Sequence, residues 1–268
     1  MRTVSSWSLH RTLGRFVAPE SSVSGRPCME GSAEPGGVAL LDLPEALRGR
    51  GYGALQLCHF HLPSTSPTYL GQLRLALAAA GVALEALLVD DGDLADPEQA
   101  DRVEAWMGRW LEVAEALGAL RARLLVARAD PTPELIRECA GRLKRLAEAH
   151  PGVRIVVENW TGVLGDARSV RALLRETNDA VGLLVDLGNW GGPRKYEELG
   201  GIAAFAETCH AKCRFTGAEP DAEDFRRSLR VLKEAGYDGP LALVYDGPDD
   251  DEWAKLDLEY ALCRGVFG

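Results

Sequence analysis

Short apolar runs alternate along the whole chain with longer stretches whose apolar residues recur on one helical face. This is the pattern of parallel βα units. Eight of the runs predict strands, at 3–7, 54–58, 83–89, 123–127, 154–157, 181–185, 208–212 and 241–245. Helices are predicted to begin near Pro44, Thr68, Pro97, Pro133, Asp166, Lys195, Asp221 and Asp251, several with a proline or an acidic residue in the first turn. Eight strands each followed by a helix predict an α/β fold, a single-domain (β/α)8 TIM barrel over residues 1–268, and the length suits a fold that takes about 250 residues. One segment breaks the rhythm. Residues 18–37 are rich in Gly, Ser, Pro and Glu and too punctuated for a core element. They fall between the first strand and the first helix, on what would be the catalytic face, and read either as a lid over a pocket or as a plain insertion.

Composition and charge narrow the function classes. At 46% hydrophobic residues the chain supports a sizeable core, and its net charge of -10 repels polyanions, so no nucleic-acid partner is expected. The arginines are scattered along helical faces, as at Arg137, Arg142 and Arg145, and form no basic patch. No apolar run approaches the ~20 residues of a membrane span. Met1-Arg2-Thr3-Val4 enters a strand directly, without the sections of a signal peptide. The six cysteines are dispersed and include no Cys-x-x-Cys pair, as befits thiols in a reducing compartment. These features predict a cytoplasmic protein with a small-molecule substrate and no membrane partner, in which a homo-oligomer remains open.

Functional side chains of such barrels gather at the carboxyl ends of the strands. The fifth run ends Val157-Glu158-Asn159-Trp160, the sixth Val185-Asp186-Leu187-Gly188-Asn189-Trp190, and the seventh Cys209-His210-Ala211-Lys212. Two carboxylates and an imidazole from three neighbouring strands make a constellation for a hard metal ion or for general-base chemistry. The carboxylates could instead cap helices or pair with arginines, yet on adjacent strands they repel unless something cationic lies between them. His210 alone would read as a core histidine; its place after the two carboxylates makes it a ligand candidate. Lys212 shares a face with His210 by alternation, and either stabilises an enediolate or forms a buried ion pair with Asp186 or Glu158.

Taken in order, Val-Glu-Asn, Asp-x-Gly-Asn, His-x-Lys and then Gly236-Tyr237-Asp238-Gly239-Pro240 resemble the xylose-isomerase-like TIM barrels, a family of sugar phosphate isomerases and epimerases that also holds apurinic endonucleases. The early segments Thr3-Val4-Ser5-Ser6-Trp7-Ser8-Leu9-His10 and Cys58-His59-Phe60-His61-Leu62-Pro63 are similar to that family as well, so the resemblance covers nearly the whole chain. It implies a divalent ion (Mn2+, Mg2+, Co2+ or Zn2+) held by a Glu, an Asp, a His and a second Glu, and it assigns the first three places to Glu158, Asp186 and His210. The chain departs from the family at the fourth place, where Val244 stands for the glutamate. A missing carboxylate weakens the pull on a dication and removes half of a two-base mechanism. Asp246 shares the face of Val244, roughly 6 to 7 Å further along. Either it reaches a displaced metal or a substrate hydroxyl, or it opens the turn Asp246-Gly247-Pro248.

His59 and His61, read on one face at the end of the second strand, are assigned to substrate, although a His-x-His pair also suits a metal. Asn189 joins them, and Trp7, Trp160 and Trp190 read as flat walls for a sugar ring or as core. Asp90, Asp91 and Asp93 read as a rim contact or a turn. The implied chemistry is metal-assisted proton transfer through an enediolate, with Glu158 as base, Lys212 as electrophile and Asp246 as a further catalytic group. That describes an isomerase or epimerase of a sugar, polyol or keto acid, with a lyase or dehydratase also open. The alternative is a catalytically degenerate barrel that binds a small molecule or a partner protein. A metal-dependent nuclease fits the acidic balance poorly.

Overall fold

Eight parallel strands close on themselves in chain order: β1 (Thr3–Ser5), β2 (Ala54–Cys58), β3 (Ala83–Val89), β4 (Arg121–Leu124), β5 (Arg154–Glu158), β6 (Gly182–Asp186), β7 (Ala206–Lys212) and β8 (Leu241–Val244), which pairs with β1. The computed structural model describes residues 1–14, 22–23, 37–160, 162–248 and 250–268, so the loop predicted at 18–37 lies outside the described residues except for Ser22, Val23 and Gly37. Helices follow the strands: α1 (Leu43–Gly49), α2 (Pro67–Ala80), α3 (Ala100–Leu117), α4 (Pro133–Ala149), α5 (Ala167–Thr177), α6 (Lys195–Ile202), α7 (Ala222–Glu234) and α8 (Glu252–Phe267). The expected TIM barrel is thus the observed fold.

Local chemistry sets the helix starts. Ser66, Thr132, Asp166, Asp221 and Asp251 each accept a hydrogen bond from an amide of the first turn, and Pro67 and Pro133 occupy initial positions whose amides have no intrahelical partner. Helix α3 begins at Ala100 rather than near Pro97. The first strand is also shorter than expected: after Ser5 the chain turns into a 3-10 helix at Ser6–Leu9, which carries Trp7 over the barrel mouth.

The outward side chains of the strands, among them Leu55, Leu87, Val157 and Leu183, join the helix faces in one continuous apolar layer. Inside the barrel the side chains change character along the axis. At the amino end, Gln56 donates to Thr208 across the barrel at 3.1 Å, and Arg121 pairs with Glu85 at 2.8 Å. Cys58, Ala86, Leu88, Val156 and Leu184 then form an apolar plug, closed by Phe60 and Trp7. Above the plug the carboxyl end is polar again.

Strand β4 corrects the sequence reading, which placed it at 123–127. It pairs through Arg121 to Leu124 with β3 and through Arg121 to Arg123 with β5. Arginine reads as a boundary in an apolar pattern, yet here Arg121 and Arg123 both point into the barrel because carboxylates on adjoining strands neutralise them.

Candidate metal and proton-transfer site

Strands β5, β6 and β7 deliver Glu158, Asp186 and His210 to one point, since Asp186 lies in register with His210 and Glu158 ends the next strand over. All three are buried, at 5%, 2% and 5% exposure. His210 Nδ1 lies 3.4 Å from Glu158 Oε1 and 3.4 Å from Asp186 Oδ2, and one ligand atom from each of the three falls within 4.8 Å of the others. Asn159 fastens β5 to β6: its Oδ1 accepts from the Asp186 amide at 2.7 Å and its Nδ2 donates to the Asp186 carbonyl at 3.1 Å. Asp186 Oδ1 accepts the amides of Gly188 and Asn189 at 2.6 and 2.8 Å, and the side chain of Asn189 donates to Glu158 Oε1 at 2.8 Å. A Cβ on Gly188 would stand 2.8 Å from Lys212 Cγ, so this turn passes close to Lys212 only as glycine. Asn159→Ala would leave both backbone groups of Asp186 buried without partners. A loss of about 2–4 kcal/mol is expected, read as a lower urea midpoint at unchanged slope.

Two fixed cations flank the triad. The buried guanidinium of Arg123 holds Asp90 through one terminal nitrogen and lies with Nε 3.0 Å from Glu158 Oε2, while its other terminal nitrogen donates to the Val89 carbonyl at 3.1 Å. Lys212 Nζ donates to Asp246 at 2.9 Å. Burial alone would lower Lys212, but the Asp186 and Asp246 carboxylates outweigh it and raise it, so Lys212 is an ammonium ion at neutral pH. Burial works against Asp186 as a carboxylate, yet His210 and Lys212 hold it below its ordinary range. Burial likewise opposes charge on His210, and Glu158 and Asp186 overcome it, raising the imidazole to about 9.

Two carboxylates and an imidazole are a fitting donor set for a divalent ion with three protein ligands, and His210 Nε2 is buried without a hydrogen-bond partner among the described residues. The fourth place stays apolar, because Val244 lines the same cleft at 3% exposure. A metal must displace the proton of His210, which is bound below about pH 9. Affinity for Mn2+ is therefore expected to rise with pH, by about tenfold per unit at most, and to level off above the imidazole value. Calorimetric titrations at several pH values check this; an affinity independent of pH would remove His210 from the ligand set.

The other sequence candidates fall into two groups. Trp7, Trp160, Asn189 and Lys212 line the cleft together with the triad. Trp190 is instead packed beneath it, its indole donating to the Trp160 carbonyl at 3.2 Å. His59 and His61 do not line it: they sit on a 3-10 turn, His59 fully buried against Trp106 and Trp110 with Nδ1 accepting from the Asp90 amide at 3.2 Å, and His61 bonded to Ser6 Oγ at 2.9 Å and His10 Nδ1 at 3.2 Å. Burial among the neighbouring histidines lowers His61 well below its ordinary value, so it is neutral. Asp246 lies beyond the end of β8, exposed and ion-paired with Lys212. The acidic run divides: Asp91 accepts from Ser22 and Val23, Asp93 from the Ala95 and Arg128 amides, and Asp90 enters the cleft. Arg123 is the site residue that pattern reading missed. Its signal was a charge of strand parity between Arg121 and Leu125 in an apolar run. A second lobe, lined by Leu124, Val126, Arg128 and Leu164, shares Glu158 and Trp160 with the cleft.

Known proteins place this architecture. The family model described as xylose isomerase-like TIM barrel matches residues 44–262. Among solved structures, a xylose isomerase-like TIM barrel protein from Mycobacterium smegmatis in complex with magnesium superposes with a TM-score of 0.66 at 17% identity, covering 98% of this chain and 97% of its own. D-psicose 3-epimerase from Clostridium cellulolyticum, solved with D-tagatose, gives 0.67 at 13% identity over 99% and 98%. A sugar phosphate isomerase/epimerase from Parabacteroides distasonis gives 0.67 at 12% identity over 100% and 95%. At these identities the superpositions speak for the fold alone. A comparison with curated proteins gave no match. No helix among the described residues is long and apolar enough to cross a membrane. The match of the family model over most of the sequence, together with the closed barrel it describes, shows that this chain belongs to the xylose isomerase-like TIM barrel family.

Proposed function

We propose that the protein is an isomerase that moves a proton between neighbouring carbons of a small sugar, polyol ketone or keto acid. The observation that carries this reading is the meeting of Glu158, Asp186, His210 and Lys212 in one cleft where Val244, at the end of β8, offers no base at the place of a fourth ligand. A divalent ion held by Glu158, Asp186 and His210 would polarise the carbonyl and stabilise negative charge on its oxygen. Glu158 takes the proton from the carbon next to the carbonyl, and the electron pair moves into a new C=C bond as the carbonyl oxygen becomes an oxyanion. The Lys212 ammonium, steadied by Asp246, donates a hydrogen bond to that enediolate. Return of the proton from Glu158 to the neighbouring carbon, with the hydroxyl proton of the adjacent oxygen passing to the former carbonyl oxygen as the new C=O forms, completes an isomerisation. Epimerisation by two bases on opposite faces would want a carboxylate where Val244 stands, so isomerisation is favoured. Trp7 and Trp160 flank the substrate, and Asn189 orients Glu158. His59 and His61 support the wall behind it rather than touch the substrate. The magnesium of the mycobacterial neighbour and the D-tagatose of the epimerase neighbour agree with this class of chemistry.

The test is incubation in D2O with Mn2+ and a panel of ketoses, aldoses and keto acids, followed by proton NMR. Deuterium entering next to the carbonyl, with the isomer appearing, is the expected result. Val244 also suits a second reading, a barrel that binds without catalysis. Mn2+ bound with no exchange from any compound would establish that reading and dismiss the first.

A further inference from the structure

The cleft has a second polar end that the triad does not use, built from the turns after β1 and β3. Asp90 is buried, at 8% exposure; one of its oxygens is held by Arg123, and the other, Oδ2, has no hydrogen-bond partner among the described residues, the His59 ring standing 3.9 Å away. The Cys58 thiol beside Asp90 is pushed up by burial and remains a weak donor. The indole Nε1 of Trp7 is likewise buried and unpartnered among the described residues. Both residues line the cleft that holds Glu158 and His210. Buried polar atoms without partners are costly, and an orphan acceptor and an orphan donor lining one cleft are satisfied together by hydroxyl groups, which both donate and accept. An anion would not serve. Asp90 repels it, and the guanidinium nearby is already engaged by Asp90 and Glu158.

We infer that Asp90 and the indole N–H of Trp7 are substrate-contacting residues that read hydroxyl groups and make the cleft select an uncharged polyhydroxylated carbonyl compound over its phosphorylated counterpart. This rests on the proposed isomerase site but concerns binding. The experiment is calorimetric titration of the protein with D-erythrulose, D-xylulose and D-fructose and with their terminal phosphate esters, in wild type, Asp90→Asn and Trp7→Phe. The free ketoses should bind, their phosphate esters about tenfold or more weaker. Asp90→Asn should lose about ten- to a hundredfold in ketose affinity, as for a hydrogen bond to a charged group, and Trp7→Phe about three- to tenfold. Circular dichroism reports whether each variant folds. Should Asp90→Asn fail to fold, Trp7→Phe decides, because it removes one N–H and keeps an aromatic wall. Phosphate esters binding as tightly as the ketoses, unchanged affinity in a folded variant, or no ketose binding at all would each overturn the inference. Deuterium exchange with the same ketoses reads the isomerase separately. Affinity lost in Asp90→Asn with no exchange in any protein sinks the isomerase alone, whereas exchange with an unchanged KM sinks the inference alone.

Discussion

Replacing Glu158 with glutamine is expected to slow deuterium exchange at the substrate carbon by about 10²–10⁴-fold, the usual worth of a positioned general base. Glutamine keeps the volume of the side chain and a carbonyl oxygen for Asn189 Nδ2, so the hydrogen bond to Glu158 Oε1 has a replacement. What it removes is the ability to hold a proton and one of the two negative charges 3.4 Å from His210. The same change is expected to lower Mn2+ affinity, since a neutral amide is a poorer ligand for a hard cation. Rates measured by NMR under saturating substrate separate loss of chemistry from loss of binding. Exchange at the wild-type rate would remove Glu158 from the role of base, whatever its part in holding a metal.

Arg123→Met is expected to destabilise the fold by about 3–5 kcal/mol, the range for removing one partner of a buried ion pair. Methionine fills much of the arginine stem, so packing changes little; the effect comes from Asp90 and Glu158, both buried, losing the guanidinium between them. Urea unfolding near neutral pH reads this directly. A double variant, Arg123→Met with Asp90→Asn, should recover part of the loss, because one of the two charges left unpaired is gone. A loss below about 1 kcal/mol in the single variant would mean that water already reaches and screens this pair.

The barrel was legible in the sequence because its signal is repetitive. Each βα unit carries its own apolar run and its own capped helix start, and Pro133, Asp166, Asp221 and Asp251 mark four of the starts without reference to any other part of the chain. Glu158, Asp186 and His210 were legible for a related reason: each is a polar residue directly at the end of an apolar strand, and the barrel rule converts that position into convergence. The differences have two causes, partners distant in sequence and strands that end sooner than alternation implies. Whether a charged side chain lies inside a barrel depends on partners distant in sequence. Arg123 is answered by Asp90, 33 residues earlier, and by Glu158 on the next strand, so the local pattern showed a strand boundary where there is a buried cation. His59 and His61 were read by strand alternation, but the chain leaves β2 at Cys58 and turns into a 3-10 helix, which directs the two rings to separate partners. Asp246 was placed by the same alternation beyond Val244, where β8 ends, and its carboxylate meets Lys212 instead of the triad.

On the proposed function, Glu158, Asp186 and His210 form one cation site beside the reacting carbon of a small carbonyl substrate. A crystal soaked at about pH 8.5 with Mn2+ and a ketose, with data collected for the manganese anomalous signal, tests it most directly, because proton competition at His210 eases as the pH approaches its raised value of about 9. The expected result is a single strong peak among the three side chains, with the ketose carbonyl turned toward it and the Lys212 ammonium within hydrogen-bond reach of the same oxygen. Manganese bound elsewhere, or an ordered ketose in the cleft with no peak between these residues, would contradict it.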